Sequence, residues 1–197
     1  MGGQRKLYFV ERPIKEKTLP VVLSKEEITA MIEKEENIKH KAVIMVGFSA
    51  GLRVGEIVNL KLTDIDSDRM QIRISQAKGK KDRYTVLSQK TLVTLRAYFS
   101  EHNPSEWLFE GWKGNRMSPR SIQDIVKGAA KRAGIKKWVT VHTLRHTFGT
   151  HLLEHGTDLR NIQEQMGHAS IKTTQIYTHI STGGPNQVRS PLDDLDL

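Results

Sequence analysis

The sequence predicts a mainly α-helical fold with one small antiparallel β-sheet, formed by a hairpin or by three strands. Apolar residues recur at helical spacing along most of the chain, whereas residues 70–75 alternate with period two and residues 83–87 are rich in β-forming side chains. The 197 residues suit one domain, and the 37% that are hydrophobic suffice for a single core. No apolar run approaches the ~20 residues that a transmembrane helix needs, so no membrane partner is expected.

The first part of the chain is predicted to contain an arm followed by three helices. Residues 1–20 are basic and carry two prolines, which is typical of an arm or an interdomain linker. Residues 24–27 form a capping box, with a hydroxyl at the cap and a carboxylate three positions later, so a helix should follow. Residues 39–50 predict a second, more apolar helix. A break at Gly51 then precedes a short third helix that runs through Leu60.

The middle and the end of the chain are predicted to hold the hairpin and five more helices. The strands at 70–75 and 83–87 are joined by a basic turn at 76–82. The remaining helices are predicted at 89–102, 119–133, 142–155, 158–166 and 170–179. The three tryptophans, Trp107, Trp112 and Trp138, are interpreted as packing a core or the wall of a groove.

Charge and composition restrict the classes of function. Lys and Arg number 31 against 22 Asp and Glu, a formal net charge of +9, which points to a polyanionic partner such as nucleic acid. The absence of cysteine excludes disulfides, thiolate nucleophiles and cysteine-based zinc sites. The first residues lack the apolar stretch of a secretory signal, so a cytoplasmic location is predicted.

Residues 141–151 concentrate three histidines and one arginine in one predicted helix. His142 and Arg145 are three positions apart and share a face. His142 and His146 have a spacing that zinc ligands use, but no glutamate lies between them in the His-Glu-x-x-His manner and no third ligand is evident. No metal is therefore predicted. His146 and His151 are interpreted as capping, core or DNA-contact residues.

Five segments, in this order, resemble the tyrosine site-specific recombinases, the phage integrase and Xer family. They are AGLRVGEI at 50–57, KGKKDR at 78–83, HTLRHTF at 142–148, LRNIQEQMGH at 159–168 and TTQIY at 173–177. Each segment is weakly specific alone, but together they extend over most of the chain in one order. The resemblance implies a tyrosine recombinase catalytic-domain fold and an enzyme that cleaves and rejoins DNA through a 3′-phosphotyrosyl intermediate, without metal, ATP or another cofactor.

The resemblance assigns the nucleophile and its electrostatic partners. Tyr177 would attack the DNA phosphorus, and Arg53 and Arg145 would neutralise the phosphate with bidentate donors as charge builds up. Glu56 would orient Arg53. The ordinary alternatives are a half-buried core tyrosine, a surface Arg53–Glu56 pair at i, i+3, and an Arg145 that only touches a DNA phosphate.

The resemblance also assigns three proton donors. Lys78, in the hairpin turn, would be the general acid that protonates the departing 5′-oxygen. His142 would assist proton transfer or contact the phosphate, and His168 would donate to a non-bridging oxygen. The alternatives are a solvated basic turn around Lys78, a helix cap at His142 and a half-buried turn histidine at His168.

The resemblance implies partners and a domain organisation. The expected partners are double-stranded DNA and sister subunits that form a homotetramer on paired DNA sites. Accessory DNA-bending proteins are a further partner class that the resemblance allows. Residues 1–20 are assigned to the arm or linker, 21–180 to the catalytic domain and 181–197 to a tail. The family's N-terminal core-binding domain is expected to be absent, so this chain alone should bind DNA weakly. The tail either docks in trans on a neighbouring subunit or is a solubilising extension.

Three other functions remain open at this point. A non-enzymatic helical DNA-binding module would explain the charge and the helices but not the spaced Arg, Lys, His and Tyr set. A type IB topoisomerase-like nicking enzyme would share the chemistry without pairing two DNA sites. A metal-dependent nuclease would use the histidines and would be sensitive to chelators.

Overall fold

The computed structural model describes residues 19–77 and 81–180. Its helices are α1 (Lys25–Glu33), α2 (Ile38–Ser49), α3 (Val54–Val58), α4 (Gln89–His102), α5 (Pro119–Arg132), α6 (Val141–Glu154), α7 (Leu159–Met166) and α8 (Ile171–Thr174). Short 3₁₀ helices cover Leu62–Asp64, Trp112–Gly114 and Gln175–His179. Strands β1 (Ile65–Asp66), β2 (Gln71–Ala77) and β3 (Lys81–Val86) form one antiparallel sheet in the order β1-β2-β3. The predicted fold class is confirmed, in its three-stranded form.

The turn between α2 and α3 places the first predicted site residue. Gly51 has a φ of +59°, and a Cβ at this position would overlap the ring of Phe148. Glycine is therefore required both for the left-handed backbone and for the close approach of α6. The chain leaves this turn with Arg53 as the N-cap residue of α3, and the Glu56 carboxylate accepts a hydrogen bond from the Arg53 backbone N–H.

The register of the sheet decides which side chains point inward. Ile72 pairs with Thr85 and Ile74 pairs with Arg83, and both isoleucines are buried. Paired residues of antiparallel strands project from the same face, so Arg83 points toward the interior although it follows a basic turn. Residues 78–80 lie outside the described chain, and with them the predicted site residue Lys78.

The apolar residues form two clusters. The larger one surrounds α2, whose residues 42–47 are all buried, as its apolar sequence predicts. The smaller cluster packs the end of α6 against α7 and the last 3₁₀ helix; its buried members are Phe148, Leu153, Ile162, Met166 and Tyr177. The predicted nucleophile is therefore a core residue of the smaller cluster. Among the described helices, none is long and apolar enough to cross a membrane.

Two local predictions were wrong. The helix predicted at 170–179 divides into α8 and the 3₁₀ helix Gln175–His179. The core alternative for the tryptophans is wrong for two of them, because Trp112 is 83% exposed in a tight turn and Trp138 is 73% exposed beneath the Lys127 ammonium, 5.2 Å from its ring centre. A cation over the ring stabilises an exposed indole without burying it. The predicted arm, apart from residues 19 and 20, and the predicted tail lie outside the described residues.

Candidate active site

The Glu56 carboxylate joins three guanidinium groups. Arg53 Nη1 donates to Glu56 Oε1 at 2.9 Å, and Arg83 Nη2 donates to Glu56 Oε2 at 2.9 Å. Arg145 Nη1 lies 3.8 Å from the same Oε2 atom. Because Glu56 follows Arg53 by three positions, one turn of α3 brings this carboxylate beneath the Arg53 side chain.

Arg145 is held on the inner face of α6. It is 4% exposed, and its Nη1 donates to the Gly51 carbonyl oxygen at 2.5 Å while Nη2 donates to the Met166 carbonyl oxygen. Burial, followed by the nearby charge of Arg53, lowers the pKa of Arg145 to about 10. The residue therefore remains charged at neutral pH, and its side chain ties α6 to the turn before α3 and to the end of α7.

Tyr177 is fully buried beside the arginines. Its hydroxyl oxygen lies 3.4 Å from His146 Nδ1, and a Cβ added at Gly149 would lie 2.6 Å from its ring. Burial raises the pKa of Tyr177 to about 12, and the charges of Arg145 and Arg53 oppose that increase. We call the space above Gly149 that holds this ring the Gly149 notch. In this arrangement the phenol is protonated and shielded from solvent.

His168 completes the cluster from the end of α7. Gly167 ends the helix with a φ of +60°, and its carbonyl oxygen accepts a hydrogen bond from Arg53 Nη2 at 3.1 Å. The His168 ring stacks on the Tyr177 ring with centroids 6.3 Å apart, and its Nδ1 lies 3.0 Å from Thr174 Oγ1. Burial, then the charges of Arg145 and Arg53, lower the pKa of His168 to about 3. His168 is therefore neutral at physiological pH.

This shift predicts a loss of stability in acid. Folded His168 stays neutral down to a pKa of about 3, whereas the unfolded chain takes up the proton near its ordinary pKa of about 6.5, so stability is complete above about pH 6.5 and falls below it. One such proton contributes a slope of up to about 1.4 kcal/mol per pH unit. Urea unfolding between about pH 7 and pH 5 should give a shallower slope for His168→Gln than for wild type.

The control for this prediction is His179→Gln, which removes an exposed histidine of the last 3₁₀ helix and should leave the slope unchanged. Equal slopes for wild type and His168→Gln would contradict the assignment.

His142 stands at the rim of the cluster. It is exposed in the first turn of α6 and lines a cavity of about 400 Å³ together with Arg53, Glu56, Asn59 and Arg73. The cavity therefore borders Arg53, and a histidine and a further arginine line it. A ligand that reached Arg53 from this side would pass both side chains.

The described cluster carries more positive than negative charge. The guanidinium groups of Arg53, Arg83 and Arg145 face one carboxylate, that of Glu56. Burial lowers the pKa of Arg83, Arg145 and His168, and the charges of neighbouring arginines add to that decrease. Such a pocket favours an anion, and most strongly one whose charge grows during a reaction. Across residues 19–77 and 81–180, no three His, Asp or Glu side chains converge in a way that could hold a metal ion.

Most residues of this cluster were predicted from the sequence, and two were not. The predicted residues Arg53, Glu56, Arg145, His168 and Tyr177 lie together, His142 is at the rim, and Lys78 lies outside the described residues. The missed members are Arg83, which was placed at the start of the second predicted strand without a role in the site, and His146, which was interpreted as a capping, core or DNA-contact residue. The inward direction of Arg83 follows from its pairing with Ile74, which the sequence alone does not give. His146 could have been found from its spacing, because it follows His142 by four positions, about one helical turn, and so lies on the same face of α6.

Comparisons with known proteins agree with this fold and these segments. The model of the phage integrase family matches residues 21–183. Tyrosine recombinase XerD of Oceanobacillus iheyensis is 37% identical over 186 residues, covering 87% of this chain and 62% of the relative. Tyrosine recombinase XerA of Pyrococcus furiosus is 40% identical over 171 residues, covering 84% of this chain and 59% of the relative. The chain thus spans about three fifths of the length of these two relatives.

Solved structures give the same result. A crystal structure of XerA recombinase superposes with a TM-score of 0.78 and 36% identity, over 84% of this chain and 62% of that one. A post-cleavage complex of the XerH site-specific recombinase with a palindromic difH substrate superposes with a TM-score of 0.72 and 28% identity, over 84% of this chain and 51% of that one. The fold, the ordered segments and the family match lead to one conclusion: this chain belongs to the phage integrase family and corresponds to a tyrosine recombinase catalytic domain.

Proposed function

We propose that this chain is the catalytic part of a site-specific recombinase that cleaves and rejoins DNA strands, with Tyr177 as its nucleophile. The observation that carries the proposal is a tyrosine held within the field of two arginines that share one carboxylate. A phosphodiester is an anion, so an oxygen nucleophile approaches it only where cations neutralise the charge. Preorganised guanidinium groups do so without reorganising during the reaction.

The proposed reaction exchanges one phosphodiester for another. The Tyr177 hydroxyl gives up its proton as its oxygen forms a bond to phosphorus, the bond from phosphorus to the 5′-oxygen breaks, and that oxygen takes up one proton, so the products are a 3′-phosphotyrosine and a 5′-hydroxyl. Lys78 is proposed to protonate the departing oxygen. The new ester retains the free energy of the original bond, so resealing by a 5′-hydroxyl requires neither ATP nor a metal ion.

His168 is proposed to donate to a non-bridging phosphate oxygen as a neutral imidazole. Its low pKa leaves it one N–H group at neutral pH. We assign the tautomer in which Nδ1 accepts from the Thr174 hydroxyl, because this leaves the Nε2–H group free to donate. His142, at the rim of the cavity, is proposed to contact the phosphate or to assist proton transfer.

The described arrangement corresponds to a resting site. Tyr177 is 0% exposed, and donors of both arginines are occupied by the carbonyl groups of Gly51, Met166 and Gly167. Cleavage therefore requires the segment from Gly167 onward to move, which would uncover the phenol and release Arg53 Nη2 from the Gly167 carbonyl oxygen. We propose that DNA binding drives this movement, because phosphate oxygens are better acceptors for guanidinium groups than backbone carbonyls are.

The proposed partners follow from the relatives. XerH was solved on a difH substrate, and we propose double-stranded DNA as the substrate of this chain. Exchange between two duplexes would need a homotetramer on paired sites, with accessory DNA-bending proteins and trans docking of residues 181–197 as further proposals. Weak DNA binding by this chain alone, the domain limits at 20 and 180, and a cytoplasmic location stay predictions.

Tyr177→Phe is expected to abolish covalent attachment to DNA. A nicked suicide substrate from which the 5′-hydroxyl fragment diffuses away should trap the wild-type protein as an adduct that survives denaturing electrophoresis, in chelator and without ATP. Removal of the nucleophilic oxygen leaves no acceptor for the phosphoryl group, so the variant should give no adduct.

The matched control is Tyr98→Phe, which removes the hydroxyl of another buried tyrosine outside the cluster and should leave the adduct intact. An adduct formed by Tyr177→Phe would refute the assignment. DNA cleavage that leaves no adduct and stops in chelator would favour a metal-dependent nuclease. Relaxation of supercoiled DNA without strand exchange between two duplexes would favour a topoisomerase-like enzyme.

A further inference from the structure

We infer that Arg83 is a positioning residue of this site, which fixes the Glu56 carboxylate and through it the guanidinium of Arg53. The inference rests on the proposed function and adds to it a residue from a strand that contributes no other described member of the cluster. Arg83 lies on β3, opposite the buried Ile74, and its side chain is 10% exposed. Its position in the sheet therefore aims a charged group into the interior.

Arg83 holds one of the two oxygen atoms on which Glu56 depends. Its Nη2 donates to Glu56 Oε2 at 2.9 Å, the atom that also accepts from the Arg53 backbone N–H at 2.8 Å. The other oxygen, Oε1, accepts from Arg53 Nη1 at 2.9 Å. Because Arg83 holds Oε2 from the β3 side, the Glu56 carboxylate keeps one orientation. Oε1 then meets Arg53 Nη1 from a constant direction. Without Arg83 the carboxylate could rotate toward Arg145.

Arg83 also packs against the second anchor of Arg53. A Cβ at Gly167 would overlap Nε and Cδ of Arg83, so these atoms fill the space that any other residue's side chain would need. The Gly167 carbonyl oxygen accepts from Arg53 Nη2 at 3.1 Å. In the resting site Arg83 therefore supports both contacts of the Arg53 guanidinium, and the contact with Glu56 is the one that remains when the segment from Gly167 onward moves.

The charge on Arg83 is retained at an energetic cost. Its Nε and Nη1 atoms are buried and have no hydrogen-bond partner among the described residues. Burial lowers the pKa of Arg83, and the charge of Glu56 acts against that decrease. A buried donor without a partner is unfavourable, so these two atoms give the fold nothing in return for the burial of the charge. A charged, planar guanidinium at this buried position is explained if it is needed to orient the Glu56 carboxylate.

The central test compares Arg83→Met, Glu56→Gln and the double variant. With protein in excess and DNA saturated, Arg83→Met should slow formation of the covalent adduct about 10–100-fold, as is typical when an orienting partner is removed. DNA affinity, measured by fluorescence anisotropy, should change much less. Arg83 acts through Glu56, so the double variant should be hardly slower than Glu56→Gln alone. Arg83→Lys keeps the positive charge but loses the planar guanidinium with its paired N–H donors, so it should recover only part of the rate of adduct formation.

Arg132→Met is the matched control. Arg132 donates to Glu35, a carboxylate that is 3% exposed, so this variant also strips a buried glutamate of its arginine, but outside the cluster. It should be less stable than wild type and still form the adduct at the wild-type rate. If Arg83→Met does not fold, Arg83→Lys carries the same comparison with Glu56→Gln.

A second measurement reads the position of Arg53 without cleavage. In arginine-labelled protein, the Nε–H resonance of Arg53, assigned with Arg53→Lys, should shift and broaden in Arg83→Met and remain unchanged in Arg132→Met. Failure of the wild-type protein to form any adduct would refute the proposed function, and this resonance would then decide the role of Arg83. Each of three results would overturn the inference. The first is an unchanged adduct rate in Arg83→Met, and the second is a double variant whose rate loss is the product of the two single losses. The third is an Arg53 resonance that does not move in Arg83→Met.

Discussion

Replacing Glu56 with methionine is expected to destabilise the protein more than any other single change in the site. The variant leaves Arg83 and Arg145, which are 10% and 5% exposed at their side chains, together with Arg53 and no carboxylate among the described neighbours. Removing one partner of a buried ion pair typically costs about 3–5 kcal/mol, because the remaining charge is uncompensated. We expect a loss of that order in the free energy of unfolding by urea, and no detectable DNA adduct.

The matched change is Glu164→Met. Glu164 lies 3.8 Å from Arg160 at i, i+4 on the surface of α7, and both side chains are mostly exposed. Exposed pairs contribute about 0–1 kcal/mol, so this variant should remain close to wild type. A Glu56→Met protein as stable as Glu164→Met would show that the carboxylate does not hold the three arginines together.

Gly149→Ala is expected to have the second-largest effect, through the position of Tyr177. In an ordinary helix interior this change is stabilising, by roughly 0.5–1 kcal/mol. The added methyl group would lie 2.6 Å from the Tyr177 ring and 3.0 Å from Met166 Sδ, so the ring must leave the Gly149 notch. Overpacking of this kind typically costs about 1–3 kcal/mol, and we expect a net loss of stability measured by urea unfolding.

The displaced ring gives two further readouts. Once Tyr177 leaves its buried position, its pKa should fall from about 12 toward the ordinary value of about 10, which a spectroscopic phenolate titration compared with Tyr177→Phe would detect. If exposure of the phenol limits cleavage, the adduct should form faster. Gly128→Ala in α5 is the control, because its methyl group would meet only the flexible end of Arg132. A Gly149→Ala protein with an unchanged Tyr177 pKa would contradict the steric argument.

The sequence was most informative where function depends on local geometry. The Arg53–Glu56 spacing and the cap of α3 are properties of one helical turn, and the structure has both. The left-handed glycines at 51 and 167 were recognisable as breaks in the pattern. The roles of these residues in catalysis stay predictions.

Other features depend on contacts between distant segments, which a linear pattern does not contain. The complete burial of Tyr177 follows from packing between α6, α7 and the last 3₁₀ helix. Arg83 was given no role in the site, because its inward direction depends on pairing with Ile74. Trp112 and Trp138 were misread because size and apolarity predict burial on average, whereas these rings lie on a turn and beneath a lysine.

Helix α6 has a consequence for how this family member can change over time. His142, Arg145, His146 and Gly149 lie on it within two turns, so their relative placement is set by the helical repeat. Deleting one residue between His142 and Gly149 would rotate the rest of the helix by about 100° and misalign these side chains together. Insertions and deletions should therefore be confined to the connecting loops. The length of α6 between His142 and Gly149 is therefore expected to stay constant while single residues change.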